Sequence, residues 1–581
     1  MHTLPFAAVA ALAAIPVLAA PPVPLQVIPV APTRVATHGN VLFADFGQDS
    51  FGNLKIDFSS APPSADWKVR LGERLANDGT INRKPGGSVL FCEVPLATHP
   101  DQLEYELALP ARKHAAMGAP PGIGEIVPFR YAEIEGTNSL PEDITVRQLT
   151  VNAPFDDSAS DFTSSDATLN SVWNLCKHTM KATTAFGVFI DGDRERKPYE
   201  ADAYIAMLSH YACDLDPRVA RATFDYLLAH PTWPTEWSLV MPMIADADYE
   251  ATGDPVLAAN NYEALKAKLL LQKVGPDGLL HAPAIVDWPV SERDGYNDGV
   301  VEGKQVGPDV NTVANAFLYH ALQCMSHLAS ALNKQDDAQA FAARAQQVYT
   351  AFNATFFDAT RKIYVDGEGS THASLHANMF PLAFGLVPPE QQAGVVAFVQ
   401  SRGMACSVYG AQFLLESLYL SGKSDDALAL MSADTPRSWA HMLDLGSTMT
   451  LEAWDPSVKR NLTWNHAWGA APANIITRYL LGVRPLEPGY TKILIAPELG
   501  TLKWMQGKVP TPRGPVRVAW QSNPASLDLD IPAGATARVL LPSPVATGKS
   551  VSINGKAFLP KVETGATILY PLASGHYRIS Y

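Results

Sequence analysis

Between about residue 165 and residue 485 the apolar residues of this chain recur at helical spacing, and on either side of that stretch they do not. Leu169, Val172, Cys176 and Met180 fall at i, i+3, i+7 and i+11, and Phe341, Ala345, Val348, Phe352 and Phe356 repeat a similar stripe. Each stripe predicts a helix with one buried face. Asp216-Pro217 and Asp254-Pro255 each put an N-cap residue before a proline suited to a first helical turn. The stretch has no sustained strand alternation, and its loops are rich in Trp, Asp and Gly. No fixed sequence period runs through it, which disfavours a solenoid. A closed barrel of helical hairpins fits better.

The flanks read differently. Residues 21–155 carry many Pro and Gly between short apolar runs such as Gly87–Pro95 and Asp143–Leu149, the punctuation of an N-terminal β-sandwich. After Pro485 the strand pattern returns in Lys492–Ala496, in Val516–Trp520 and in the strict alternation Ser526–Ile531, so residues 486–581 are read as a C-terminal β-sandwich. The expected chain is multidomain, with an all-α catalytic unit over 156–485 between two β domains. Its 581 residues suit the three or four domains that a prior of about 150 residues each suggests.

Residues 1–20 hold an apolar run from Phe6 to Ala14, a break at Pro16 and the small-residue pattern Val17-Leu-Ala19. They read as a signal peptide, although the n-region has no Lys or Arg, and export to the periplasm or medium is expected. No later segment has about 20 consecutive apolar residues, so no membrane span is expected. The 44 Lys+Arg against 58 Asp+Glu give a net charge of −14, which argues against nucleic acid as a partner. The five cysteines are scattered, with no CxxC or Cys/His cluster. Small buried thiols are expected, with no metal site among them and no disulfide framework.

Chemistry concentrates in two places. Eight residues from Asp191 to Asp202 are ionisable: Asp191, Asp193, Arg194, Glu195, Arg196, Lys197, Glu200 and Asp202. A charge run is usually a solvated loop. Here the flanks Ala185–Ile190 and Ala203–Leu208 are apolar, so these charges need partners or a ligand. Pro198 keeps the run out of a helix interior, making it a loop that enters a helix over Asp202–Tyr211. The second place is Gly446–Asp455 with Leu462–Gly469, where Glu452, Trp454, His466 and two more tryptophans gather. Such a set packs between helices or binds a sugar ring, aromatic faces covering C–H surface while carboxylates and His fix hydroxyls. Glycoside hydrolysis needs two carboxyl groups, an acid and a base or nucleophile. Distant loops of a closed helical barrel can bring them together.

These segments resemble the α-L-rhamnosidases of glycoside hydrolase family 78. The resemblance rests on Phe43–Gly47, the Asp-Arg-Glu-Arg cluster, Gly446–Asp455, Asn465-His466 and Pro488–Ile495, in this order over nearly the whole mature chain. It implies an (α/α)6 barrel, a six-hairpin glycosidase, that removes terminal α-L-rhamnose from a glycan, polysaccharide or glycoside with inversion. Glu195 takes the place of the general acid and Glu452 that of the base. Asp202, seven residues after Glu195, matches a carboxylate holding rhamnose hydroxyls, and Asp191 or Asp193 matches the one before the arginine. Arg194, Tyr199, Trp454 and His466 join the implied substrate-binding set, with Trp288 of Ile285–Trp288 and, more loosely, Trp237. The usual Asp-Cys-Pro-x-Arg start is Asp191-Gly-Asp-Arg194 here, and the usual Gly-Trp is Pro198-Tyr199.

Apolar flanks and neighbouring carboxylates would keep Glu195 protonated, so that it donates to the glycosidic oxygen while Glu452 activates water. No cofactor is required, although an acidic loop could hold a structural Ca2+. The alternatives are another (α/α)6 glycosidase, a polysaccharide lyase using Tyr199, and a carbohydrate-binding protein with a degenerate site.

Overall fold

The computed structural model describes residues 22–136, 144–296, 299–301, 304–306, 309–542, 546, 548–563 and 566–581. The leader-like residues 1–20 lie outside them. In the N-terminal part, the 18-residue strand Val41–Phe58 is the spine of an eight-stranded sheet. Its first half pairs with Val127–Glu135, the register shifts between Asp45 and Ser50, and its second half pairs with Ile144–Asn152. Leu54, Ile56 and Phe58 alternate inward, as the period of two requires, onto a core with Trp67, Val69 and Ile134.

The helical stretch begins with α1 (Ala167–Ala182), capped by Asp166, whose carboxylate accepts from the Leu169 N–H at 2.9 Å. Leu169, Val172, Cys176 and Met180 are all fully buried. There follow α2 (Glu200–Cys213), α3 (Arg218–Ala229), α4 (Thr235–Thr252), α5 (Val256–Lys268), α6 (Thr312–Ala331) and α7 (Gln335–Phe356). After them come α8 (His376–Ala383), α9 (Gln392–Arg402), α10 (Gly410–Leu420), α11 (Ser424–Met431), α12 (Trp439–Asp444) and α13 (Ala471–Ile475). The Asp-Pro starts of α3 and α5 fall one residue later than predicted: Asp216 and Asp254 accept from the Arg218 and Val256 N–H groups at 3.0 and 3.1 Å.

Burial sorts these helices into two layers. α2, α6, α10 and α13 are buried almost all round, whereas α3, α5, α7 and α9 bury one face. Contacts run α2 to α4, α6, α8, α10 and α13, and α13 returns to α2. The described helices thus contain a closed inner ring with the one-sided helices outside it. None of the described helices is long and apolar enough to cross a membrane.

The C-terminal part forms two sheets. In one, Lys492–Ile495 runs parallel to Thr536–Leu541; in the other, Ala525–Ile531 lies between Val516–Ser522 and Gly575–Ser580. The alternation seen in the sequence places Leu527, Leu529 and Ile531 inward. A strand ahead of the helices, Asp161–Ser164, pairs with Trp504–Val509. That sheet therefore includes residues the sequence reading placed in the helical unit. The five cysteines are free thiols, all buried except the half-buried Cys92.

The α7 stripe supplies a check on the layering. Phe352 is fully buried whereas Gln346 is exposed. Phe352→Ala should cost about 3–5 kcal/mol and Gln346→Ala within about 0.5 kcal/mol, read by denaturant titration of the far-ultraviolet circular dichroism.

Candidate active site

One end of the inner ring carries the loops that hold the charge clusters. The loop ahead of α2 is closed on itself: the Asp191 N–H donates to the Lys197 carbonyl, and the Asp191 carboxylate accepts from the Lys197 N–H, each at 2.9 Å. Arg196 adopts the left-handed conformation, with φ of 47°, which a long side chain rarely does. Gly192, at φ 97°, passes so close to the distant segment Thr463–Asn465 that a Cβ would meet Thr463 Oγ1 at 2.7 Å and Asn465 Oδ1 at 2.9 Å. Only glycine fits there.

This backbone turns Asp193 and Arg196 inward and leaves Arg194 and Glu195 on a cavity. Asp193 and Arg196 are fully buried and pair at 2.8 Å, Arg112 closes on Asp193 from the N-terminal part, and Arg196 also reaches Glu125 at 2.7 Å. Ala116 N–H donates to the Glu195 carbonyl at 2.7 Å. The charged loop is therefore not a solvated one.

The cavity, of about 310 Å³, is lined by Asp191, Arg194, Glu195, Tyr199, Asp202, Trp237, Trp288, Glu452 and His466 from the sequence-predicted set. Asp202 sits in the first turn of α2, which starts at Glu200 rather than at Asp202, and Trp237 sits in the first turn of α4. Two predicted members lie elsewhere. Asp193 faces its arginines, and Trp454 donates its indole N–H to the Cys406 carbonyl at 2.8 Å while packing edge-on against Trp439. Trp233, Ile285, Lys459, Asn461 and Trp468 line the cavity as well. Trp468 stood among the tryptophans already noted near Glu452. Lys459 and Asn461 read as ordinary polar loop residues, and Trp233 had no signal beyond its flanking Thr and Pro.

The two glutamates differ in setting. The Glu452 side chain is 4% exposed and that of Glu195 40%. Arg194 lies between them. Its Nη1 and Nη2 donate to the two Glu452 oxygens at 2.9 and 3.0 Å, and its Nε and Nη2 donate to Glu195 Oε1 at 3.2 and 3.1 Å. Glu452 also accepts from Lys459 Nζ at 2.9 Å and from the Thr463 N–H at 3.0 Å. Burial raises the Glu452 pKa, but the Arg194 hydrogen bond and the charges of Lys459 and Arg194 oppose it, and the net shift is downward. Glu195 Oε2 accepts from the Tyr199 hydroxyl at 2.8 Å.

The other carboxyls are set oppositely. Burial, with Glu195 and Glu452 adding to it, raises the Asp191 pKa well above the usual range. Burial, with Asp191 and Glu452, does the same to Asp202. Burial pushes His466 down to about 3, so the ring is neutral across ordinary pH. Asp202 Oδ1, His466 Nδ1 and Trp237 Nε1 are buried without a hydrogen-bond partner. Burial and the bond to Glu195 raise the Tyr199 phenol far above its usual pKa, which does not suit a lyase base. Such a cavity combines one ionised buried carboxylate, a second carboxyl nearer solvent, neutral hydrogen-bonding groups and aromatic walls.

Residues 157–480 match the model of the bacterial alpha-L-rhamnosidase 6 hairpin glycosidase domain, and residues 482–556 that of the bacterial alpha-L-rhamnosidase C-terminal domain. An α-L-rhamnosidase of Alteromonas sp. (strain LOR) is 25% identical over 308 residues, 49% of this chain and 32% of that protein. One from Formosa agariphila is 23% identical over 503 residues, 78% of this chain and 52% of that protein. The chain thus spans about half or less of the curated relatives it matches. Two solved structures share the fold. The α-L-rhamnosidase of Dictyoglumus thermophilum has a TM-score of 0.79 at 20% identity, covering 96% of this chain and 64% of that one. The Streptomyces avermitilis α-L-rhamnosidase, complexed with L-rhamnose, has a TM-score of 0.77 at 19% identity, covering 96% and 54%. With more than half of its length matched by the hairpin-domain model, the chain belongs to the bacterial α-L-rhamnosidase six-hairpin glycosidase family.

Proposed function

We propose that this chain is an exported, inverting exo-α-L-rhamnosidase in which Glu195 is the general acid and Glu452 the general base. The observation that carries this is two carboxyls of contrasting environment on one cavity, within a chain of this family. In this reading the closed ring of helices is an (α/α)6 barrel, flanked by β-sandwich domains over 21–155 and 486–581. Residues 1–20 act as its leader, which directs it to the periplasm or medium.

Glu195, nearer solvent, gives its proton to the glycosidic oxygen as the bond to the anomeric carbon breaks. Glu452 takes a proton from the water that attacks that carbon from the opposite face. Inversion needs the two carboxyls about 6.5–9.5 Å apart, with room for that water, so Arg194 Nη2, which lies 3.1 and 3.0 Å from an oxygen of each, has to vacate the gap. Burial favours the protonated forms of Asp191 and Asp202, which can donate as well as accept hydrogen bonds to ring hydroxyls. The unpartnered Asp202, His466 and Trp237 atoms are satisfied by the same hydroxyls. Trp237, Tyr199, Trp288 and Ile285 offer apolar surface to a ring face and to the methyl group of a 6-deoxyhexose. Arg194 exchanges its carboxylate contacts for sugar oxygens. Side chains alone supply these roles.

Glu195→Gln and Glu452→Gln should each lower kcat on an aryl α-L-rhamnoside by about 10²–10⁴-fold, with native circular dichroism at the assay temperature. Near-wild-type turnover in either variant would remove that residue from its role. Proton NMR of the first-formed sugar should show β-L-rhamnose; first release of the α-anomer would mean retention.

A further inference from the structure

A carboxylate has about four lone-pair positions, and in Glu452 all are taken. Oε2 accepts from Arg194 Nη1 and the Thr463 N–H, and Oε1 from Arg194 Nη2 and Lys459 Nζ. A base cannot accept a proton from water until one donor leaves. The Thr463 amide is locked, because Glu452 N–H donates back to the Thr463 carbonyl at 3.1 Å. Lys459 is 7% exposed and anchored by Asn461 Oδ1 at 2.8 Å. Arg194 is the more exposed of the two side-chain donors, at 21%, and although its Nη1 also donates to the Asn461 carbonyl at 2.6 Å, its bonds to Glu195 place it between the two carboxyls. The scissile bond has to pass through that gap.

We propose, building on the acid/base reading above, that substrate displaces Arg194 from Glu452 while Lys459 stays, making Lys459 the positioning residue that keeps the base ionised and aimed during turnover. The charged and titratable groups facing Glu452 are Arg194, Lys459, His466, Asp191, Asp202 and Glu195. His466 is neutral across ordinary pH. Once Arg194 has moved, Lys459 is the cation of this group that still offsets the carboxyls. Its third N–H is free to hold the attacking water beside the carboxylate.

The test uses the pH dependence of kcat, which reports the enzyme–substrate complex, against that of kcat/KM, which reports the free enzyme. Removing an opposite charge this close raises a carboxylate pKa by about 1–3 units, and a base of higher pKa is lost earlier as pH falls. Lys459→Met should therefore move the acidic limb of kcat on an aryl α-L-rhamnoside upward by about one pH unit or more. The limb of kcat/KM should move less, because Arg194 still holds Glu452 in the free enzyme. Lys459→Arg, which keeps the charge, should leave both limbs in place. An unmoved kcat limb in Lys459→Met, equal movement of both limbs, or the same shift in Lys459→Arg would each overturn the proposal. If circular dichroism finds Lys459→Met unfolded, Lys459→Gln is held to the same outcomes. A wild-type chain that releases no sugar would overturn the acid/base reading and this proposal together, whereas an active wild type with unmoved limbs overturns this one alone.

Discussion

The buried pairing of Asp193 with Arg196 and Arg112 is the constraint on which the site depends. Two fully buried ionised side chains are stable only as partners, and removing one from such a pair costs about 3–5 kcal/mol. Here the pair does more than compensate charge. It pulls the residues on either side of Arg194-Glu195 into the protein, and the acid and its arginine are left facing the cavity. Asp193 N–H donates to Asn465 Oδ1 at 2.7 Å, so the same residue fastens the acid loop to the segment carrying Glu452 and His466. Asn465 in turn donates to Glu73 at 2.8 Å.

Those contacts make the connections between the N-terminal strands part of the site. Arg112, Ala116, Met117, Glu125 and Ile126 all bind the loop of Glu195, and Ser88 donates to the carbonyls of Asn461 and Leu462 at 3.0 Å beside Lys459. The family-matched helical segment begins after all of these residues. The cavity is a product of the helices and of the connections between the N-terminal strands, with the helices aiming Asp202 and Trp237 and those connections bracing the acid loop.

Much of this was legible in sequence. The apolar stripes of α1 and α7, the alternation at Ser526–Ile531 and the charge between apolar flanks at Asp191–Asp202 are local patterns, and burial follows them closely. What could not be read depended on backbone turns or on distant partners. Asp191 and Asp193 are two residues apart in one acidic run, and the left-handed Arg196 with the crowded Gly192 decides which of them reaches the cavity. Trp454 stands two residues after Glu452, where an extended chain would point both the same way. The backbone bends there, and the indole goes to Cys406 instead. Lys459 acquires meaning only because Glu452 lies 2.9 Å from it across a loop.

The most direct measurement is the initial rate of the wild-type chain on a panel of aryl glycosides that includes the α-L-rhamnoside, α-L-fucoside, α-D-mannoside and α-L-arabinofuranoside. Release from the rhamnoside far above the others is the predicted result. Preference for another member of the panel, or no release from any, would contradict the assignment of rhamnose to this cavity.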